Sequence, residues 1–345
     1  MSQSVWGDTE TQFFYDLTPG RILDAVESST GLRCTGRALA LNSMENRVYE
    51  IELDLDERPK NPSERFLIAK FYRPGRWTRD QILEEHQYLA ELAELEIPVV
   101  APRPFIDGST LHQLPDGGLY YALFPKIGGR SPDELSESEI AQVGRLLGRM
   151  HNVGAAKPAQ HRLKLTPETY GTANLQHLLA AGIVPRDVEK EYAQVIQDIV
   201  QLTSPWFQAT TSHRIHGDCH RGNLLMGRTS ADGNGTLFFV DFDDMVTGPA
   251  VQDLWLLIPS RDEQSVRLLN AMLEGYESMR SFDWSTLRLM EALRALRFIH
   301  FSAWIGRRWQ DPAFPRAFPE FNSPRYWREQ LTDLREQWEL LQRHA

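Results

Sequence analysis

Cysteine is nearly absent from this chain: Cys34 and Cys219 are the only two in 345 residues. Two distant cysteines do not make a disulfide framework, so the fold must rest on its apolar core, and a reducing cytoplasm is the expected compartment. No apolar run approaches the roughly 18 residues needed to cross a bilayer, so no membrane partner is expected. The opening stretch "MSQSVWGDTETQFF" carries neither a basic start nor an apolar segment, and no secretory signal is expected from it. A basic excess is missing as well. Lys and Arg number 37 against 47 Asp and Glu, for a net charge of −10, which argues against a nucleic-acid backbone as main partner. Internal repeats and low-complexity tracts are also missing.

What is present reads as an α+β chain. Its 41% hydrophobic residues suffice for a core without metals or crosslinks. Thr18-Pro19 has the form of a helix N-cap followed by proline at the first helical position, with Ile22, Ala25, Val26 and Ser29 on one face. Strands are expected near 37–41, 47–55 and 65–72. In the second, Tyr49, Ile51, Leu53 and Leu55 alternate with Val48, Glu50, Glu52 and Asp54 across a period of two. A helix is expected from about Thr78 to Glu96, stopped by Pro98, and a further strand over 117–125. "FPKIGGRSP" (124–132) has the composition of a linker. Beyond it Ser136 and Glu139 show capping-box spacing before a helix, and a second helix is expected near 186–202. Short strands at 223–226 and 236–240 flank the turn-rich 227–235, and prolines at 259, 312, 315, 319 and 324 break the remainder into helices. Most of the five tryptophans in the last 65 residues are expected to anchor packing.

Chemistry-bearing residues crowd between His213 and Asn223, where three of the ten histidines fall beside Cys219 and Asp218. A structural zinc site would need a second ligand pair at suitable spacing, and Cys34 is the only other cysteine. A redox cysteine would need an electropositive, accessible setting, and Asp218 adjoins Cys219. The informative feature is the five-residue step from Asp218 to Asn223 in "HGDCHRGNLL". A hydroxyl nucleophile needs a carboxylate to orient it and take its proton, and Mg²⁺ takes oxygen ligands such as Asn and Asp. Eighteen residues after Asn223 the apolar "LFFV" runs into Asp241, where a second metal-binding carboxylate belongs. Lys70 ends "LIAK", on a strand preceding a helix, where a phosphate-contacting lysine is found in kinases. Of the two glutamates able to pair with it, Glu85 lies three residues from Ile82 and four from Leu89, on the inward face. Glu84 is one residue off that face.

"HGDCHRGNLL" followed by "VDFDDMVTGPAVQDLW" resembles the aminoglycoside phosphotransferase/choline kinase family, and the likeness extends through "TPGRILDAVES", "LNSMENRVYEIEL" and "LIAKFYRPGRW". The resemblance implies a bilobal protein-kinase-like fold, with a β-rich nucleotide-binding lobe over 1–125 and a mainly helical lobe over 126–345. It implies ATP as co-substrate and Mg²⁺ as cofactor, with Asp218 as catalytic base, Asn223 and Asp241 holding the metal, and Lys70, braced by Glu85, on the ATP phosphates. Ser43, in the turn over the phosphates, would approach ATP, and Asp253 would brace the catalytic loop. A serine/threonine protein kinase is the first expectation. A small-molecule kinase of the aminoglycoside, choline or homoserine type is the second, and a non-catalytic nucleotide-binding regulator the third. A monomer is the expected state. The pattern departs from protein kinases in three ways. There is no G-x-G-x-x-G loop, so the Ser43 or Asn42 side chains would replace glycine amides. The metal motif is DFD. Only eleven residues separate Asp241 from Asp253, with Thr247 the one hydroxyl, which is too short for a phosphorylatable activation loop. Cys219 lies beside the base, so alkylation there is expected to block activity without the cysteine having any catalytic role.

Overall fold

The computed structural model describes residues 12–57, 59–229, 235–258 and 260–343. Most of the stretch without a secretory pattern, the centre of the 227–235 turn, and Pro259 lie outside them. The chain divides into two compact units. One holds the described residues up to Leu135 together with His220–Asp243; the other holds Ser136–Cys219 together with the described residues from Asp244 onward.

The first unit is built on a five-stranded antiparallel sheet in the order β1-β2-β3-β5-β4, formed by β1 (Cys34–Ala40), β2 (Arg47–Leu53), β3 (Phe66–Phe71), β4 (His112–Gln113) and β5 (Tyr120–Pro125). Helix α1 (Pro19–Thr30) begins where Thr18 caps the Arg21 amide and ends at Gly31, which takes the left-handed φ of 69° that closes the last turn. Its face of Ile22, Ala25, Val26 and Ser29 is buried. The three apolar residues of that face form one core with Ile51, Leu53, Leu67, Ala69, Phe71, Tyr121 and Leu123 of the sheet. Alternation in β2 puts Ile51 and Leu53 into that core, as the period of two requires. Helix α2 (Arg79–Glu94) starts in a full capping box between Thr78 and Gln81 and buries Ile82, Glu85, Tyr88, Leu89 and Leu92. The same unit takes in the hairpin of β7 (Leu224–Thr229) and β8 (Gly235–Phe239). This hairpin is tied to the rest of the unit by bridges from Phe239 to Val99 and from Met226 to Arg130.

The second unit is helical: α3 (Glu137–Ala156), α4 (Ala173–Ala180), α5 (Arg186–Gln208), α6 (Val251–Trp255), α7 (Glu263–Glu277), α8 (Leu289–Arg307), α9 (Ala313–Ala317) and α10 (Pro324–Gln342). The capping box at Ser136 and Glu139 is formed in both directions. Helix α5 runs past the expected end at 202 and through Pro205. The carbonyls of Ile199 and Val200 there take hydroxyl donors from Thr203 and Ser204 at 2.7 Å, so the turn before the proline keeps side-chain bonds. Strands β6 (His213–Ile215) and β9 (Val246–Gly248) form a small antiparallel ladder. Among the late tryptophans, Trp327 is fully buried edge-on to Tyr192, while Trp284 is exposed. Among the described residues, no helix is long and apolar enough to cross a membrane.

Candidate active site

Lys70 lies on inner strand β3, with Val48 of β2 and Ala122 of β5 as its register partners. Its neighbours Ala69 and Phe71 face the sheet's apolar core, so alternation turns the lysine to the opposite face. There it is buried, and three carboxylates approach Nζ: Asp243 at 3.1 Å, Asp241 at 3.5 Å and Glu85 of α2 at 3.8 Å. Burial opposes the charged ammonium, but the charges of Asp243, Glu85 and Asp241 outweigh it and hold the lysine's pKa well above its ordinary value. Lys70 therefore stays a cation wherever the carboxylates are ionised.

Asp241 lies two residues past the end of β8 and takes a φ of +62°, in the left-handed region that side-chain-bearing residues avoid. Asn223 closes the short turn Arg221–Asn223 ahead of β7, and its carbonyl accepts the Val240 amide at 3.0 Å. The hairpin thus brings Asn223 and Asp241, eighteen residues apart in sequence, to adjacent strand ends. The Asp241 side chain is 55% exposed.

Ser43 sits in the turn between β1 and β2, where its Oγ accepts the Asn46 amide at 3.4 Å. Two arginines of "YRPGRW" pin this turn. Arg73 donates through Nε to the Glu45 carbonyl at 2.9 Å and through Nη2 to the Met44 carbonyl at 3.2 Å, and its own amide donates to Asn46 Oδ1 at 3.0 Å. Arg76 reaches Glu45 at 2.8 Å and Asp243 at 3.3 Å. A chain of buried ion pairs therefore joins the Ser43 turn, through Arg76 and Asp243, to Lys70. Arginines thus hold the turn between β1 and β2.

In the helical unit, Asp218 follows Gly217, whose φ is +87° and where a Cβ would stand 2.2 Å from the Asp244 carbonyl oxygen. Only glycine fits that close approach. Asp253 of α6 braces the loop from beneath, its Oδ2 accepting the His216 amide and its Oδ1 the Gly217 amide, each at 2.8 Å. Gln252 donates to the Gly217 carbonyl at 2.7 Å. His151 donates through Nε2 to Asp253 Oδ2 at 3.1 Å, and its Nδ1 shares a hydrogen bond with the Tyr276 hydroxyl at 3.0 Å. The Asp218 amide donates to His216 Nδ1 at 3.3 Å, and Asp218 Oδ1 accepts from Arg297 of α8 at 2.7 Å. Cys219 is completely buried, and burial, with Asp253 and Asp218 nearby, pushes its thiol pKa well up. This corrects the expectation that alkylation at Cys219 could block activity: the thiol is sealed off and held protonated.

The sequence pattern of the phosphotransferase enzyme family matches residues 39–290, most of the chain. The chain belongs to this phosphotransferase family. Stress response kinase A of Escherichia coli (strain K12) is 39% identical over 332 residues, covering 95% of each chain. A protein of Salmonella typhimurium named serine/threonine protein kinase RdoA is 38% identical over 329 residues, covering 95% of this chain and 94% of its own. Among solved structures, an amicoumacin kinase in complex with AMP-PNP, Ca²⁺ and Ami superposes with a TM-score of 0.71. That alignment has 19% identity and covers 91% of this chain and 95% of the other. The fold is therefore the kinase-like fold of the phosphotransferase family, with its β-rich part N-terminal and its helical part C-terminal.

Within the phosphotransferase frame, sequence reasoning missed Asp243, Arg76 and Arg297. Asp243 was visible only as the place where DFD departs from DFG, and its burial beside two cations was not legible there. Arg76 and Arg297 have no local signal, because their partners lie far away in sequence. The residues also fit a divalent metal. Asn223 and Asp241 supply hard oxygen donors at one end of the hairpin, with the Asp241 carboxylate open to solvent. Among the described residues, no group of three or more His, Cys, Asp or Glu is arranged to hold a metal ion. A Mg²⁺ carried by one or two protein oxygens draws the rest of its shell from phosphates and water, so a fuller protein cage is not required.

Proposed function

We propose that this chain is an ATP- and Mg²⁺-dependent serine/threonine protein kinase of stress response. In this reading it acts as a monomer in the cytoplasm and transfers the γ-phosphoryl group of ATP to a protein hydroxyl. The observation that carries the chemistry is the Lys70 cluster: a buried cation among Asp243, Asp241 and Glu85, with Asn223 brought beside Asp241 by the hairpin. The acceptor class is supported by the 38% identical relative named serine/threonine protein kinase. The compartment is supported by the two cysteines, both free.

Asp218 accepts the acceptor's hydroxyl proton and aims its oxygen at the γ-phosphorus, held in place by the amide bonds that tie its loop to Asp253. Lys70 pairs with the phosphates, and Glu85 and Asp243 fix its position. Ser43 approaches the phosphates from a turn already ordered by Arg73 and Arg76, so little conformational entropy is lost when nucleotide binds. Asn223 and Asp241 hold Mg²⁺, which when bound neutralises charge on the phosphates. Asp218→Asn is expected to keep ATP binding and lose phosphoryl transfer by roughly 10²–10⁴-fold, the usual contribution of a positioned base. Asp241→Ala is expected to lose Mg²⁺-dependent ATP binding. Wild-type transfer by Asp218→Asn would remove that residue from the role of base.

A second reading, a small-molecule kinase, is favoured by the fold likeness to the amicoumacin kinase. Incubation with γ-labelled ATP and Mg²⁺ separates the two, with protein substrates in one arm and amino alcohols, sugars and aminoglycosides in the other. Label on serine or threonine of protein alone supports the first reading. Label on small molecules alone selects the second.

A further inference from the structure

A net charge of −10 would by itself favour a cationic acceptor. The surroundings of Asp218 point the other way. Arg297, 79 residues further along the chain, places Nη1 2.7 Å from Asp218 Oδ1. The guanidinium keeps 38% of its side-chain exposure and the carboxylate 23%, so this charge pair stands in contact with solvent and with whatever approaches the base. Two further carboxylates of the helical unit, Glu291 of α8 and Asp253 of α6, are also engaged. Glu291 takes Arg261 at 2.6 Å and Arg294 at 3.4 Å, and Asp253 takes His151 and two loop amides. An ammonium group brought in beside the acceptor hydroxyl would have to compete with Arg297 for Asp218. The resident side chain is tethered, forked and weakly hydrated, which gives it the advantage. Carboxylates more than about 8–10 Å away across solvent are screened from this point at physiological salt.

Resting on the reading of Asp218 as base, we propose that Arg297 is a positioning residue that sets acceptor class. It holds the base carboxylate and selects hydroxyls flanked by neutral or acidic groups over those flanked by ammonium groups. The guanidinium carries five N–H donors. Nη1 serves Asp218, and the exposed part of the group can pair with an acidic residue beside the acceptor serine or threonine.

The test uses the full chain with Mg²⁺ and γ-labelled ATP on two matched acceptor sets. The first is one serine peptide flanked by Glu, by Gln or by Lys. The second is a neutral diol against an amino alcohol of similar size. The readout is the ratio of kcat/KM between the acidic or neutral acceptor and the cationic one. The wild type is expected to favour the Glu-flanked peptide and the neutral diol. Arg297→Gln should shrink that preference about tenfold, Arg297→Lys should restore most of it, and Arg297→Glu should reverse it, as expected when a single charge near a partly solvated site is removed or inverted. A change that only disturbed packing would slow both acceptors alike and leave the ratio unmoved. A wild-type preference for cationic acceptors, or ratios unchanged across the Arg297 variants, overturns the proposal. If only small alcohols are labelled, the protein-acceptor reading falls, while the diol-to-amino-alcohol ratio still decides the role of Arg297.

Discussion

Asp241 holds a left-handed backbone conformation that costs a non-glycine residue roughly 1–2 kcal/mol, and it does so beside a lysine already paired with two other carboxylates. Strain at such a position persists because the surroundings over-determine it. Here the β7–β8 ladder fixes one side, and Phe242, edge-on to Tyr88 with ring centroids 6.0 Å apart, fixes the other. The next two residues divide the work: Phe242 anchors, and Asp243 takes the charge. Lys70 lies nearer to Asp243 than to Glu85, and Asp243 also receives Arg76. Removing Asp243 leaves two buried cations short of a partner, whereas removing the charge of Glu85 leaves Lys70 two carboxylates. Asp243→Ala is therefore expected to cost about 3–5 kcal/mol of stability, the usual penalty for breaking a buried ion pair. Glu85→Gln should cost less, about 1.5–3 kcal/mol, the scale of one charged hydrogen bond. Urea denaturation of the two variants checks this, and the opposite order would return the primary role to Glu85. Lys70 and Glu85 were legible in the sequence because an inner strand and a helical face each leave a periodic trace. Asp243 was not, because a motif position says which residue is present and nothing about what buries it.

Elements with long, strongly patterned sequences were read from the chain, and short ones were not. Helix α1 announced both its cap and its buried face, the capping-box spacing at Ser136 marked the start of α3, and the helical spacing from Thr78 marked α2, whose own capping box was not read. The two-residue β4 and the three-residue β6 and β9 are too short to show a period, and their pairing is a tertiary fact. Close helix approach was also illegible. Between α3 and α7 the backbones meet at glycines. A Cβ on Gly144 would stand 2.0 Å from the Met272 carbonyl oxygen, and one on Gly275 would stand 2.1 Å from that of Ala141. Backbone atoms cannot swing aside as side-chain ends do, so either substitution forces the helices apart. Gly144→Ala and Gly275→Ala are each expected to lose at least about 3 kcal/mol, at the upper end of overpacking costs. Gly20→Ala, in α1 with open space around its position, should change stability by less than about 1 kcal/mol. Thermal melts of the three variants make the comparison. Equal melting temperatures would mean that α3 and α7 can separate at no cost.

At the scale of the whole molecule, neither compact unit is a continuous stretch of chain. The polypeptide passes between them at 135/136, 219/220 and 243/244, so the five-residue step from Asp218 to Asn223 spans one of these crossings. Composition marks 124–132 as a linker, but no composition signal marks the return of the hairpin to the sheet-bearing unit. That return has an energetic consequence. His220–Asp243 brings to this unit Asp243 for Lys70 and Arg76, Phe242 for Tyr88, and the main-chain bonds of Phe239 to Pro98 and of Met226 to Arg130. One broken buried ion pair at about 3–5 kcal/mol and two buried aromatic side chains at about 1.5–3 kcal/mol each approach the 5–15 kcal/mol net stability of a whole domain. A fragment ending at Leu135 is therefore expected to lack a cooperative urea transition, followed through the fluorescence of buried Trp77. The same fragment joined by a flexible linker to residues 220–243 is expected to recover one. Equal, cooperative unfolding of both fragments would show that the sheet and α2 are stable without the hairpin. Asp243 would then serve the reaction alone and not the fold.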